Sequence, residues 1–116
     1  MSQELLQKLG LTKNESLIYL TLLKTGPAKV SLIIKQAQFK SGKIYQVLDS
    51  LVEKGIVSYI IKNKIKHYLP ENPRKILDFL HERKRQIDLQ EAEFMQQLPR
   101  LETKIKEPCS VKVYEG

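Results

Sequence analysis

Residues 39–66 hold a series of side chains whose types suit contact with a polyanion. Lysine ammonium groups can neutralise phosphates or donate to guanine O6 and N7, and a glutamine amide can pair with an adenine edge. Ser41 can donate to a phosphate or cap a helix, Gly42 permits close backbone approach, and Tyr45 suits packing and phosphate contact equally. The candidate contact residues are therefore Lys40, Ser41, Gly42, Lys43, Tyr45, Gln46, Lys62, Lys64 and Lys66.

A helix that would position the first group is predicted over about residues 41–54, because apolar residues recur there at helical spacing. The buried stripe is predicted to be Ile44, Val47, Leu48 and Leu51. The opposite face is then predicted to carry Gly42, Lys43, Gln46, Asp49 and Ser50. Gly55 is expected to end this helix.

A β-hairpin that would position the second group is predicted from two runs rich in β-branched residues, 56–61 and 65–69. A three-residue polar turn joins them, and Asn63 is its residue best suited to positive φ. Residues two apart on a strand share a face, so Lys64 and Lys66 are expected to point the same way. Lysine also occurs on edge strands simply to prevent aggregation, which is the alternative interpretation of these cations.

The first 39 residues predict three helices that would form the core behind this surface. Ser2 is expected to cap the first helix, and Thr12 and Glu15 form a capping box at the start of the second. The third, over about residues 29–37, has an apolar stripe at helical spacing. Its members are Val30, Ile33, Ile34 and Ala37. Helices followed by a reading helix and a hairpin are typical of a winged helix-turn-helix.

A long helix is predicted after Asn72-Pro73, with asparagine as cap and proline in the first turn. Its apolar residues alternate in steps of three and four, which indicates a coiled-coil seam with polar interruptions at Lys84 and Glu91. The seam residues are Leu77, Leu80, Ile87, Phe94, Leu98, Leu101 and Ile105. A helix of this length should outreach so small a domain, so a second copy is expected to cover the seam. Pro99 is expected to kink or split it.

Composition limits the functional classes. The 116 residues carry a net charge of +7, and the first 69 hold the whole excess, which favours a polyanionic partner. No apolar run approaches the roughly 18 residues of a membrane span, and the single cysteine, Cys109, permits no internal disulfide. A cytoplasmic protein is therefore expected. His67 and His81 have no zinc spacing, and no phosphate-binding glycine loop or catalytic constellation is present, so we predict no enzyme, metal, cofactor or small-molecule ligand.

Four segments in order and spacing together resemble the N-terminal domain of the TrmB family of transcriptional regulators. They read LGLT at 9–12, GPA at 26–28, SGKIY at 41–45 and LVEKGIV at 51–57. The resemblance implies that Ser41, Gly42, Lys43 and Gln46 meet the major groove. It also implies that Lys62 and Lys64 lie at the wing tip, and that the helix after Asn72 is the dimerisation helix.

The chain departs from the family pattern at Lys29, where a small capping hydroxyl is usual, and at Gln38, where glycine is usual. Residues 111–116 resemble the opening strand of the family's sugar-binding effector domain, which is absent from this sequence. The chain is thus either a fragment cut at that boundary or a short member without the sensor.

The sequence therefore predicts a mainly α fold with a small β-hairpin wing. Residues 1–70 would form the winged helix-turn-helix, 71–107 a dimerisation helix, and 108–116 a tail or the start of a missing domain. The expected function is sequence-specific binding of double-stranded DNA at a pseudo-palindromic operator by a homodimeric regulator. The alternative is a winged-helix module for protein contact, whose mark would be an apolar, uncharged reading helix or wing. Both faces are expected to be basic and polar, which favours DNA.

Overall fold

The computed structural model describes residues 2–105, apart from the side chain of Ser41. Within that range the elements are α1 (Gln3–Leu9), α2 (Lys13–Thr25), α3 (Val30–Ala37), a 3₁₀ turn (Ser41–Lys43), α4 (Ile44–Glu53), β1 (Val57–Lys62), β2 (Ile65–Pro70) and α5 (Arg74–Glu102). This order confirms the predicted fold class. The chain divides into two compact units, Met1–His81 and Glu82–Gly116. The expected strand at residues 111–114 and Cys109 lie outside the described residues.

The helix starts form as the local sequence predicts. Ser2 accepts a hydrogen bond from the Leu5 backbone N–H at 3.1 Å. Thr12 and Glu15 complete the capping box, with the Glu15 N–H donating to Thr12 at 3.0 Å and the Thr12 N–H donating to Glu15 at 2.8 Å. Each bond satisfies a backbone donor that the helix itself leaves free, which fixes where α2 begins.

The core of the first unit is built from the predicted stripes and from two tyrosines that the apolar pattern did not select. All four members of the α4 stripe are buried, as are Ile33 of α3 and Ile76 of α5. Tyr19 and Tyr68 are fully buried, and the Tyr19 hydroxyl donates to the Glu71 carbonyl at 3.0 Å. That bond permits a polar group to be buried at this depth.

The turn between α3 and α4 uses a left-handed residue, as a helix-turn-helix requires. Gln38 adopts φ 54° at this point, where glycine is the residue with least strain. The Phe39 N–H donates to the Ile34 carbonyl at 3.1 Å and closes the turn. Lys29 stands in the N-cap position of α3 without a side-chain cap bond, which confirms the departure noted in the sequence.

A buried carboxylate joins α2 to α4. Glu15 is 3% exposed and accepts hydrogen bonds from the Ser50 hydroxyl and from Lys54, whose Nζ is 2.6 Å from both carboxylate oxygens. Ser50 therefore faces inward, and its predicted place on the solvent face of α4 is wrong. Burial raises the pKa of Glu15, but the bonds from Lys54, Ser50 and Thr12 outweigh it and hold that pKa below 4.5.

The hairpin pairs in antiparallel register with a two-residue turn rather than the three residues expected. Lys62 pairs with Ile65, and both residues between them have positive φ, 50° for Asn63 and 66° for Lys64. Two successive left-handed residues match the twist of the strands, which makes the hairpin tight. Ala28 bridges to Tyr68 through two backbone bonds of 2.8 Å and holds the hairpin base against the start of α3.

The last helix begins as predicted, with the Arg74 N–H donating to the Asn72 side chain at 2.9 Å. Its first turns belong to the first unit, where Ile76 is buried and Leu80 packs against the core. The helix runs for 29 residues with Pro99 inside it, so of the two expected outcomes, a kink or a split, the split does not occur. None of the helices in residues 2–105 is long and apolar enough to cross a membrane.

Candidate nucleic-acid interface

The start of α4 presents the predicted contact residues to solvent. Gly42, Lys43, Tyr45 and Gln46 are exposed, and so is Lys40 just before the 3₁₀ turn. The buried stripe fixes this face, because a helix with four apolar residues in the core has its opposite side in water. Tyr45 is 60% exposed, which removes the packing interpretation that the sequence left open. Of Ser41 only the backbone is described, as the first residue of the 3₁₀ turn.

A depression beside the start of α4 is lined by Lys40, Gly42 and Lys43 together with Asn14 of α2. Lys40 and Lys43 thus face one concave surface, although they are three residues apart across a turn. Asn14 brings an amide that can donate to a phosphate or a base edge. The sequence offered no signal for Asn14, which lies in the first turn of a different helix.

A second concavity, which we call the wing groove, is lined by Lys29, Val30, Ser31, Tyr45, Lys64, Ile65, Lys66 and Tyr68. It brings the start of α3, the exposed tyrosine of α4 and the hairpin cations onto one surface. Lys29 and Ser31 were not among the predicted contact residues. The missing cap at Lys29 was the available signal, since it leaves backbone donors at the start of α3 without a side-chain partner. Lys35 and His67 line a neighbouring depression with Lys29 and extend this basic surface.

The wing lysines reach this surface by a different geometry from the one expected. Lys64 lies in the turn with φ 66°, so strand alternation does not relate it to Lys66 and that argument is wrong. The two nevertheless line the same groove. Lys66 has its ammonium 4.3 Å from the centroid of the Tyr59 ring, a cation–π contact. No side-chain hydrogen bond or ion pair of Lys62 or Lys64 is found within residues 2–105.

The wing is not purely basic and polar, contrary to expectation. Ile60, Ile61 and Ile65 are exposed beside its lysines.

Tyr68 at the base of the wing is buried, and burial together with the nearby Asp49 carboxylate raises the pKa of its hydroxyl. Tyr68 is therefore protonated at neutral pH and retains a hydrogen to donate.

The seam residues of α5 divide into two groups. Leu80 is partly buried against the first unit's own core. The other members are exposed, and they are Leu77, Ile87, Phe94, Leu98, Leu101 and Ile105. Met95 and Leu89 of the same helix are exposed as well. The described residues contain no group of three or more His, Cys, Asp and Glu side chains that could hold a metal ion.

Three helices, a reading helix and a two-stranded wing carrying a lysine-rich surface define a winged helix-turn-helix protein. The sequence profile described as sugar-specific transcriptional regulator TrmB matches residues 6–74. The chain belongs to this family, which confirms the resemblance seen in the sequence. The family is one of transcriptional regulators, a non-enzymatic class, in agreement with the predicted absence of catalysis.

One curated relative is the HTH-type sugar sensing transcriptional regulator TrmBL1 of Pyrococcus furiosus, 45% identical over 85 residues. The match covers 71% of this chain and 25% of TrmBL1, so the chain spans about a quarter of that relative's length.

Solved structures share the fold at lower identity. TrmBL2, described as an archaeal chromatin protein with a novel mode of DNA binding, superposes with a TM-score of 0.65 at 22% identity, covering 95% of this chain and 47% of that one. A MarR-family transcriptional regulator from Silicibacter pomeroyi superposes with a TM-score of 0.56 at 16% identity, covering 98% of this chain and 82% of that one. At these identities the likeness establishes the fold.

Proposed function

We propose that this chain is a transcriptional regulator that binds double-stranded DNA sequence-specifically as a homodimer. The observation that carries the proposal is the exposed surface at the start of α4, where Lys43 and Gln46 lie in solvent while the apolar stripe of the same helix is buried. A helix held from behind in this way offers its polar side as a rigid reading surface. A cytoplasmic location follows from the proposal, since a regulator must share a compartment with its duplex.

Base reading is assigned to the start of α4. Lys43 has the reach for guanine O6 and N7, and Gln46, one turn further along, has the amide for an adenine edge. Gly42 has no heavy atom within 4 Å of where a Cβ would stand, so this end of the element is open to a close partner. Lys40 and Ser41, before these residues, are assigned to the phosphate backbone, which fixes register rather than sequence.

Phosphate contact is also assigned to the wing groove. Lys64 lies in the hairpin turn, and Lys29 and Tyr45 line the same concavity. Cations and a hydroxyl that line one groove suit the backbone of a duplex whose major groove holds α4. Lys62, which pairs with Ile65 next to the turn, is also assigned to phosphate contact. Lys66 would share its ammonium between a phosphate and the Tyr59 ring.

Homodimer formation is assigned to α5. Ile87, Phe94 and Leu101 are seven residues apart, and all three are exposed. Apolar residues repeated at this spacing favour pairing with a second helix, which would remove them from water. Leu80 has a different role, because it packs on its own core. Two reading helices would then address successive turns of the major groove about 34 Å apart on a pseudo-palindromic operator. We also propose that residues 1–70 bind DNA and that residues 71–107 form the dimerisation helix.

A module for protein contact is the second candidate, and the exposed isoleucines of the wing are the observation that favours it. Ile60 and Ile61 are apolar side chains on a surface that is otherwise basic. A protein-contact module would have no large salt-dependent affinity for a duplex. Salt dependence therefore separates the two candidates.

The test measures binding of Lys43→Ala, Lys64→Ala and the control Lys8→Ala to duplexes selected from a random pool by the unaltered protein. Lys8 is an exposed lysine of α1, so its loss removes the same charge from outside both concavities. Lys43→Ala should weaken binding by about 1–3 kcal/mol and relax sequence preference, because it contacts a base edge. Lys64→Ala should weaken all duplexes alike and reduce the salt slope by about one.

Two results would contradict the assignment. Equal behaviour of all three variants would place the contacts elsewhere on the chain. Failure of the folded, unaltered protein to bind any duplex at low salt would refute DNA binding itself and leave the protein-contact module.

A further inference from the structure

Asp49 is an exposed carboxylate on α4, and its charge is opposite to that of its surroundings. Residues 16–70 hold nine lysines but only two carboxylates, Asp49 and Glu53, both on α4. A carboxylate beside a duplex is repelled by the phosphates, so Asp49 lowers the affinity of this surface for any nucleic acid. A surface built for affinity alone would carry a neutral or basic residue at this position.

The usual stabilising roles of a helical carboxylate do not apply to Asp49. No hydrogen bond or ion pair of its side chain is found within residues 2–105. No cation lies three or four positions away on α4, where the residues are Tyr45, Gln46, Val52 and Glu53. Asp49 also lies outside the first turn of α4, where the helix dipole would favour a negative charge. The reason for a carboxylate here must therefore be sought in what the surface binds.

Asp49 lies on the part of α4 that is proposed to meet the duplex. It stands one turn beyond Gln46, about 4.5 Å further along the helix axis, and both side chains are exposed. Burial raises the pKa of the Tyr68 hydroxyl, and the nearby Asp49 carboxylate raises it further. Tyr68 lines the wing groove, so Asp49 lies near both Gln46 and that groove.

The chemistry of a carboxylate favours one base edge in the major groove. An ionised carboxylate only accepts hydrogen bonds, so it needs a donor. Guanine presents N7 and O6 and thymine presents O4, which are acceptors, and adenine presents its amino donor next to the N7 acceptor. Cytosine presents the N4 amino donor alone. Cytosine is therefore the base whose edge suits Asp49 best.

We infer that Asp49 is a specificity-determining residue whose carboxylate accepts a hydrogen bond from a cytosine N4 amino group, in the base pair next to the one that Gln46 reads. The axial distance of about 4.5 Å between the two positions is close to the base-pair rise of about 3.4 Å. The inference rests on the proposed function and adds a base preference to it. Specificity is a difference between affinities, and a residue can create it by penalising the wrong partner. Asp49 thus weakens binding to most duplexes and weakens it least where cytosine stands at this position.

The test compares the full unaltered chain with Asp49→Asn and with the control Glu53→Gln. Each change removes one negative charge from an exposed site on α4 and nearly preserves the size of the side chain. Glu53 lies about 6 Å beyond Asp49 along the helix, so the control reports the loss of charge without the loss of the proposed contact. Each protein selects duplexes from a random pool, and affinities are then measured for the operator of the unaltered protein and for its single base-pair variants. Circular dichroism checks that each variant is folded.

The unaltered protein should require cytosine at one position of each half-site, with about a ten- to hundredfold loss of affinity for any other base there. Asp49→Asn should reduce that ratio to about threefold or less, because an amide both donates and accepts. It should also bind the mismatched duplexes more tightly than the unaltered protein does, since the unpaired charge is gone. Damage to the fold would lower affinity for every duplex, so this gain marks a role in specificity. Glu53→Gln should keep the cytosine preference.

An Asp49→Asn protein with the same affinity ratios as the unaltered protein at every base pair would overturn the inference while the proposed function stands. An equal loss of affinity for all duplexes would also overturn it, because Asp49 would then act only on the fold. Loss of the preference in Glu53→Gln as well would overturn it too, since overall charge would then be the cause. If the unaltered protein binds no duplex, or binds all duplexes alike, the proposed function itself fails, and that result is seen before any variant is measured.

Discussion

The buried contact between Glu15 and Lys54 yields a prediction whose size follows from the structure. Glu15 is 3% exposed, and Lys54 Nζ lies 2.6 Å from each of its oxygens. Removing one partner of a buried ion pair costs about 3–5 kcal/mol, because the other charge is left in a medium that solvates it poorly. Two features reduce the cost here. The Lys54 side chain is 24% exposed, and Glu15 keeps its bonds from Thr12 and Ser50.

We therefore expect Lys54→Met to lower the free energy of unfolding by about 2–3 kcal/mol, a large part of the roughly 5–15 kcal/mol typical of a domain. Glu15→Gln should cost about 2 kcal/mol, since the amide still accepts from Thr12 but presents N–H groups toward an ammonium. The double variant should cost less than the sum of the two, with a coupling energy of about 1.5–3 kcal/mol. In the double variant both charges are absent, so no unpaired charge is left buried.

The assay is urea unfolding followed by circular dichroism at one protein concentration, because a dimer's stability depends on concentration. A pH series adds an independent check. The pKa of Glu15 is depressed in the fold, so its contribution is fully present above its ordinary value of 4.5 and is lost as pH falls through the folded value. Below pH 4.5 the unaltered protein should therefore lose more stability than Glu15→Gln does. A coupling energy below about 0.5 kcal/mol would refute the prediction, because a coupling that small is typical of an ion pair exposed to solvent.

Two further predictions concern assembly and backbone strain. Phe94→Glu should convert a dimer to a monomer in light scattering, because a charge would be buried in the seam. The control is Leu89→Glu, which should leave the mass unchanged. Leu89 is 52% exposed and Phe94 54%, but Leu89 lies on the opposite side of α5. A dimer in both variants would refute the seam. Gly55→Ala should lower the free energy of unfolding by about 1 kcal/mol, because φ is +77° there. The matched change Gly42→Ala, at a position without positive φ, should not destabilise the fold, and equal losses would show that strain is not the cause.

A truncation test of the dimer would need the boundary given by the structure. A cut after Pro70, at the expected end of the winged helix, would remove Ile76, which is 6% exposed and part of the core. A monomer obtained from that cut could reflect a damaged domain as well as a lost seam. Point substitutions in the full chain avoid this ambiguity.

Local sequence was sufficient for the elements and for the exposed surface at the start of α4. Helical spacing identified the buried stripe of α4, so that the exposure of Lys43 and Gln46 followed directly. Caps predicted the start of α2 at Thr12, and the β-branched runs predicted the hairpin. These features depend on residues within four or five positions of one another, and such distances leave a periodic pattern in the sequence.

The tertiary structure decided everything that joins distant residues. Glu15 meets Ser50 across 35 positions and Lys54 across 39, and no periodicity relates them. The wing groove likewise depends on Ala28 bridging to Tyr68, which brings Lys29 beside Lys64. The spacing of apolar residues along an element shows which side of it is buried, but it does not show which other element packs against that side. The sequence therefore determined the buried and exposed sides of α4 and a hairpin that carries lysines, and packing between elements decided which further residues stand beside them.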